Sequence, residues 1–218
     1  RSLNFLSACG EPKLVAGFLS AELTQAETSG IMKYIRVYDK KRGRGVRYVG
    51  SKQRIIPFIR DTIQQTYGDF SEAVVGDLFA GTACVAEMFK HEGARVLSND
   101  YMHFSHALQV EKIQLNREPD GPLPYRELLE RLNALPGQKG FFYREYTQEG
   151  TQNAEFVRNY FSADNAMRID AIRRQIQLWL DEGTISADMF YLLAANLVEA
   201  VTRVSNTSGT YGAFLKGD

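Results

Sequence analysis

Cysteine is scarce in this chain. Cys9 and Cys84 are the two present, too far apart for a metal knuckle, a redox pair or a disulfide framework, so a reducing cytoplasm is the natural compartment. The histidines, His91, His103 and His106, are also few. His103 and His106 share a helix face at i, i+3, but no third ligand joins them and no metal is expected. No apolar run is long enough to span a bilayer, and the leading segment lacks the basic-then-apolar plan of a signal peptide, so no membrane association is expected. Charge of one sign is missing too: 26 Lys and Arg balance 26 Asp and Glu, which confines any nucleic-acid footprint to a local patch. No two of the six prolines are adjacent.

What is present is an ordinary globular makeup, 218 residues with 44% hydrophobic and 24% charged, long enough for one real core. Its most informative stretch is Ala73-Val-Val-Gly-Asp77-Leu-Phe79-Ala-Gly81-Thr82-Ala83, followed by Val96-Leu-Ser-Asn99-Asp100. It reads as strand, tight loop, helix and second strand ending in an acid. In an open parallel sheet, ligands sit beyond the carboxyl ends of the strands, and an acid at the second strand end can accept both hydroxyls of a ribose. Asp100 is in that place. Gly81 lies where the backbone must turn sharply. The helix from Cys84 to about Glu92 offers its first N–H groups to a ligand anion, and Cys84 itself reads as a small helix-packing residue.

The loop has one glycine where a dinucleotide fingerprint needs three, which leaves a pyrophosphate cradle poorly supported. S-adenosylmethionine needs less: one close backbone approach, an acid for its ribose and apolar cover for its adenine. Upstream stands Arg47-Tyr48-Val49-Gly50-Ser51-Lys52, a glycine turn between an aromatic and a cation, running into a helix. Ile55, Ile56, Ile59 and Ile63 form the expected buried stripe of that helix. Pro57 is tolerable only in a first turn, which starts the helix near Ile55 or Ile56. Lys52 projects from the turn, free to pair with a carboxylate such as that of a methionine.

Together and in this order, the two motifs resemble the Dam-like, alpha-class adenine-N6 DNA methyltransferases. There a Tyr/Trp-x-Gly-Ser/Gly-Lys segment precedes an Asp/Glu-x-Phe-x-Gly loop and an Asn/Asp-Asp strand end. The resemblance covers nearly everything from Tyr34 onward, including Phe142-Tyr143-Arg144-Glu145-Tyr146 and the segment Val204 to Lys216. It implies an α/β, Rossmann-like S-adenosylmethionine-dependent methyltransferase fold, here incomplete, with an inserted helical target-recognition region. It further implies that Tyr48, Gly50, Ser51, Lys52, Asp77, Phe79, Gly81, Thr82 and Asp100 bind S-adenosylmethionine. The implied partner is double-stranded DNA with a flipped adenine, and a cognate restriction endonuclease is admitted as a second partner. Two departures stand out. Ala83 replaces a second loop glycine, a change that is tolerated if the residue is not left-handed. The family's catalytic Asp/Asn-Pro-Pro-Tyr/Phe tetrapeptide is absent, so no catalytic residue is assigned and the chain alone is expected to methylate poorly or not at all.

The implied division is an extension of unknown structure over residues 1–31, a cofactor-binding part over 32–118, a helical target-recognition region over 119–204 and a turn-rich segment over 205–218. In the helical region, Pro124 starts a helix with Leu128, Leu129, Leu132 and Leu135 on one side, stopped by Pro136-Gly137. A second helix spans about Ser162 to Asp181, with Ile169, Ile172, Ile176, Trp179 and Leu180 at helical spacing. A third, Ser186 to about Val204, is apolar on most sides and expected to be buried. Arg44 in the cationic run Lys40–Arg47, Arg144 and Tyr146 in the aromatic cluster, and Asn206 and Tyr211 in the final turn are the DNA-contact candidates. Two other readings stay open: a catalytically empty DNA-binding module on the same scaffold, and a nucleotide-dependent oxidoreductase.

Overall fold

The computed structural model of the chain describes residues 6–7, 46, 48–207 and 212–216. Arg44, Tyr211, the cationic run apart from Val46, and the N-terminal extension apart from residues 6–7 lie outside them. The chain forms two compact units: among described residues the first holds Leu6–Ser7 and Gly50–Pro119, the second Val46, Tyr48, Val49 and the stretch from Asp120 onward.

The first unit is a small α/β layer. Strand β1 (Leu6–Ser7) is followed by helix α1 (Ile56–Tyr67), strand β2 (Val74–Asp77), helix α2 (Cys84–His91), strand β3 (Arg95–Ser98) and helix α3 (His103–Gln109). The sheet order is β1-β3-β2. β2 and β3 run parallel, Val74 opposite Arg95 and Asp77 opposite Ser98, while β1 pairs antiparallel on the other side of β3. Helix α2 is the crossover that parallel strands require. The register brings the chain ends after Asp77 and Ser98 side by side, and this fixes where a ligand loop can form.

Apolar side chains of α2, of β3 and of Ala94 between them make this unit's core: Ala86, Met88, Phe89, Ala94 and Val96, with Phe70 edge-on to Phe89 at 5.3 Å between ring centres. Cys84 is buried in the first turn of α2, the packing role expected of it. Helix α1 begins at Ile56 with Pro57 in its first turn, as its missing N–H demands. The expected four-isoleucine stripe is only partly found. Ile56, Ile59 and Ile63 pack half-buried against the core, but Ile55 is exposed because it belongs to a tight 3₁₀ turn, Gln53–Ile55, ahead of the helix. At three residues per turn its side chain does not fall on the 3.6-residue face.

Among the described residues, five helices build the second unit: α4 (Tyr125–Asn133), α5 (Phe141–Tyr146), α6 (Gln148–Thr151), α7 (Ala163–Asp181) and α8 (Ala187–Val204). Ser162 and Ser186 cap α7 and α8, their hydroxyls accepting from the amides of Asn165 and Met189. The expected stripes meet in one core, Leu128, Leu129 and Leu132 of α4 with Ile169, Ile172, Ile176 and Trp179 of α7 and Met189 and Leu193 of α8. Leu135 and Leu180 pack at its edge, and α4 ends before Pro136-Gly137 is reached.

Candidate functional site

Beyond β2 and β3 the two loops are zipped together by their own backbones. The Asn99 amide donates to the Asp77 carbonyl at 2.8 Å, the Ala80 amide to the Asn99 carbonyl at 3.0 Å, and the Asn99 side-chain amide to the Leu78 carbonyl at 3.1 Å. Asp100 closes the arrangement. Its Oδ2 accepts the Gly81 amide at 2.8 Å and its Oδ1 the Met102 amide at 2.9 Å. A carboxylate has about four acceptor positions, so each oxygen of this fixed group keeps one for a further donor.

Gly81 adopts a left-handed φ of 54°, the turn its residue type anticipated. Ala83 also takes a left-handed φ, 58°, so the condition under which an alanine is readily tolerated there is not met. Fully buried, it caps α2 there, and its carbonyl receives the Glu87 amide at 2.8 Å. The first hydrogen bond of α2 holds the strained residue in place.

Charge converges on the same corner. Asp77, at the end of β2, has its carboxyl raised above the ordinary value, first by burial and also by the charge of Asp100. The backbone amides of Phe79 and Ala86 and the charge of Lys52 act against that rise. Lys52 is exposed and donates one hydrogen bond, to the Gly50 carbonyl at 2.7 Å. An ammonium has three donors. Gly50, at φ 83°, has no neighbour where a Cβ would stand, so the turn selects glycine for its backbone angle rather than for space.

Leu78, Phe79, Tyr101 and Met102 are exposed in the loops that follow the two strands, Phe79 at 90% and Tyr101 at 97%. Thr82 is buried, and Ser51 is half-buried with its hydroxyl accepting from the Gln53 amide. Tyr48, the aromatic of the upstream motif, belongs to the second unit and is partly exposed. The structure thus brings Lys52, Asp77, Gly81 and Asp100 together in one unit.

Among the DNA-contact candidates, Arg144 is exposed on α5 beside the exposed Phe141. Tyr146 is half-buried, its ring packed with Phe142, Tyr160 and Phe161. Asn206 spends its side-chain amide on the carbonyls of Asn159 and Leu215, both at 2.9 Å, next to the antiparallel bridge of Thr207 with Phe214. His103 is exposed and His106 half-buried; burial and then the charge of His103 lower the His106 pKa. Among described residues no His, Cys, Asp and Glu cluster fits a metal, and no helix is long and apolar enough to cross a membrane.

A set of polar residues behind the loop was not singled out from sequence. The Ser105 hydroxyl donates to the Gly81 carbonyl, Gln109 Nε2 donates to the Ser105 hydroxyl at 3.1 Å, and Lys112 Nζ donates to the Thr82 carbonyl at 3.2 Å. Lys112 also faces Glu87 at 3.6 Å. Burial alone would raise the Glu87 carboxyl, but the hydrogen bond to His91 and the charges of Lys112 and His91 leave it below its ordinary value. The signal available in the sequence was the i, i+4, i+7 spacing of three polar residues on a face otherwise apolar.

A parallel strand pair with a crossover helix and an anchored acid at the strand end is a mixed α/β arrangement of the kind methyltransferases use. The family model of the D12 class N6 adenine-specific DNA methyltransferase matches residues 48–218, and the chain belongs to that family. It is 38% identical over 179 residues to modification methylase LlaI of Lactococcus lactis subsp. lactis, covering 78% of this chain and 27% of that protein. It is 36% identical over 170 residues to the type II methyltransferase M.NlaIII of Neisseria lactamica, with 78% and 49% covered. Type II methyltransferase M.FokI of Planomicrobium okeanokoites is 37% identical over 174 residues, with 78% and 27% covered. The chain therefore spans between about a quarter and a half of the length of these relatives. No solved structure matches it.

Proposed function

We propose that the chain supplies the cofactor-binding and DNA-recognition parts of an adenine-N6 DNA methyltransferase, with S-adenosylmethionine as methyl donor and a Rossmann-like arrangement of the first unit. The observation that carries this reading is Asp100, anchored through both carboxylate oxygens by the Gly81 and Met102 amides, with one acceptor position left on each. Two vicinal ribose hydroxyls match that pair of acceptors. Leu78, Phe79, Tyr101 and Met102 offer apolar cover to an adenine ring. Lys52 offers an ammonium to the methionine carboxylate, and Asp77, a half-buried acid near that ammonium, favours a cationic amine beside it.

S-adenosylmethionine supplies an electrophilic methyl on a sulfonium. This chain's part is to hold and orient: Asp100 fixes the sugar and Lys52 the amino-acid end. Within the second unit, the exposed face of α5 with Arg144, and the turn held by Asn206, are the proposed DNA contacts, together with Tyr146, Arg44 and Tyr211 from the sequence reading. The target is a flipped adenine, and a restriction endonuclease of matching specificity is the further partner. The tetrapeptide that would align the amino nitrogen is not among the 218 residues, so the chain alone is expected to bind cofactor and to methylate DNA poorly or not at all.

Calorimetric titration of the chain with S-adenosylmethionine tests this. Asp100→Ala and Lys52→Ala should each weaken binding at least roughly tenfold, the loss expected for charge-assisted hydrogen bonds. Unchanged affinity in both removes the cofactor reading, while DNA binding without cofactor binding favours an inactive recognition module on the same scaffold.

A further inference from the structure

Ser105 and Gln109 leave only 0% and 2% of their surface exposed, and the Lys112 side chain 7%. Buried polar groups are retained only where hydrogen bonds offset their desolvation, and here the partners form a chain leading to one place. Ser105 and Gln109 lie on α3, and Lys112 lies on the wider π turn, Val110–Gln114, that continues it. Gln109 supports Ser105, Ser105 holds the Gly81 carbonyl, and Lys112 holds the next carbonyl, that of Thr82.

Gly81 is thereby fixed from both of its peptide planes. Its amide donates to Asp100 and its carbonyl accepts from Ser105. Glycine at a left-handed φ has more alternatives than any other residue, so the loop conformation that presents the amide to Asp100 depends on what secures the carbonyls. An apolar face would pack α3 as well and would secure nothing. π turns, rare in general, often sit where a side chain must be delivered to a functional site, and this one delivers Lys112.

We infer that Ser105, Gln109 and Lys112 are positioning residues of the cofactor site, which hold the Gly81–Thr82 carbonyls so that the loop fixes Asp100 before ligand arrives. The inference rests on the reading of the first unit as that site. A preorganised acceptor binds more tightly because its ordering is already complete.

The test uses the full chain titrated with S-adenosylhomocysteine, alongside residue-resolved amide hydrogen exchange. Ser105→Ala should weaken binding roughly five- to tenfold, the equivalent of one net hydrogen bond. In the ligand-free protein the Gly81 amide should exchange faster, while the Ala94 amide, bonded to the Phe89 carbonyl away from the loop, keeps its protection. Gln109→Leu, nearly the same size, should shift both readouts in the same direction, and it decides the matter if Ser105→Ala does not fold. Undiminished affinity, or protection lost equally at Gly81 and Ala94, overturns the inference. If the unaltered chain binds no S-adenosylhomocysteine, the cofactor reading itself fails; if it binds and the variants match it, only the positioning role does.

Discussion

Asp170 and Gly140 contend for one volume: a Cβ on Gly140 would stand 2.6 Å from the Asp170 carboxyl carbon and 2.8 Å from its Cβ. The closeness has a purpose. Asp170 is buried in the middle of α7, and its two oxygens accept the amides of Gly140 at 3.0 Å, Phe142 at 3.0 Å and Tyr143 at 2.9 Å. These are first-turn donors of α5 that no helical carbonyl can satisfy. One side chain thus nails the start of α5 to α7. Gly140→Ala should destabilise the second unit by about 1–3 kcal/mol through overpacking. Asp170→Ala, which strands the part-buried Phe142 and Tyr143 amides while the Gly140 amide keeps the Gln138 carbonyl at 3.0 Å, should lose about 3–5 kcal/mol. Chemical denaturation of both variants checks the order, and an Asp170→Ala loss no greater than that of Gly140→Ala would contradict this account.

Ala83 is strained where a glycine would not be. A left-handed alanine costs about 1–2 kcal/mol, and glycine returns about 0.5–1 kcal/mol of that as unfolded-state entropy. Ala83→Gly should therefore leave stability unchanged or raise it by up to about 1 kcal/mol. Ala83→Val, β-branched and fully enclosed, should lose several times that. A destabilised Ala83→Gly in thermal melts would show that the methyl packs better than the backbone strains.

Asp77 makes the first unit sensitive to pH. Its carboxyl sits above the ordinary value, chiefly through burial, so the folded chain holds that proton more tightly than the unfolded chain. Protonation favours folding below the unfolded value, and the contribution is lost as pH rises through the folded one. Asp77→Asn, permanently neutral, should melt higher than the native chain at pH 7, with the gap closing below about pH 4. Saturating S-adenosylmethionine should narrow or reverse the difference at pH 7, because the native carboxylate then gains a cationic partner. A variant that melts lower at neutral pH without ligand would refute the burial argument.

The proposed DNA contact at Arg144, exposed on the helix whose start Asp170 holds, can be tested directly. Arg144→Ala should weaken duplex binding roughly tenfold at moderate salt and reduce the slope of log affinity against log salt by about one if the contact is a phosphate. Fluorescence anisotropy across a salt series separates the two cases. No change at any salt would exclude the residue from the interface.

The long helices were legible because α7 and α8 repeat their apolar residues at the period of the helix and begin at serines that cap them. The parallel pair was legible from two short apolar runs, one closing on Asp77 and the other on Asn99-Asp100. Other features had no local signature. Ile55 looked like part of a stripe, and only the 3₁₀ turn takes it off the face. Ala83 carries no mark of the angle it adopts, which is imposed by the loop and by the first hydrogen bond of α2. Ser105, Gln109 and Lys112 read as interruptions of an apolar face, since their partners lie 24 and 30 residues away in the chain for Ser105 and Lys112. Asp170 is the same case, an acid inside a stripe whose reason lies 30 residues upstream at Gly140.

Trp179, the chain's single tryptophan, is buried in the core of the helical unit. Indole emission therefore watches one half of the molecule. Loss of tertiary packing among α4, α7 and α8 will redden it, while melting confined to the strand-bearing half has no such dye of its own. Comparing that optical transition with far-ultraviolet dichroism, which sees every helix, tells at once whether the two halves come apart together or in turn.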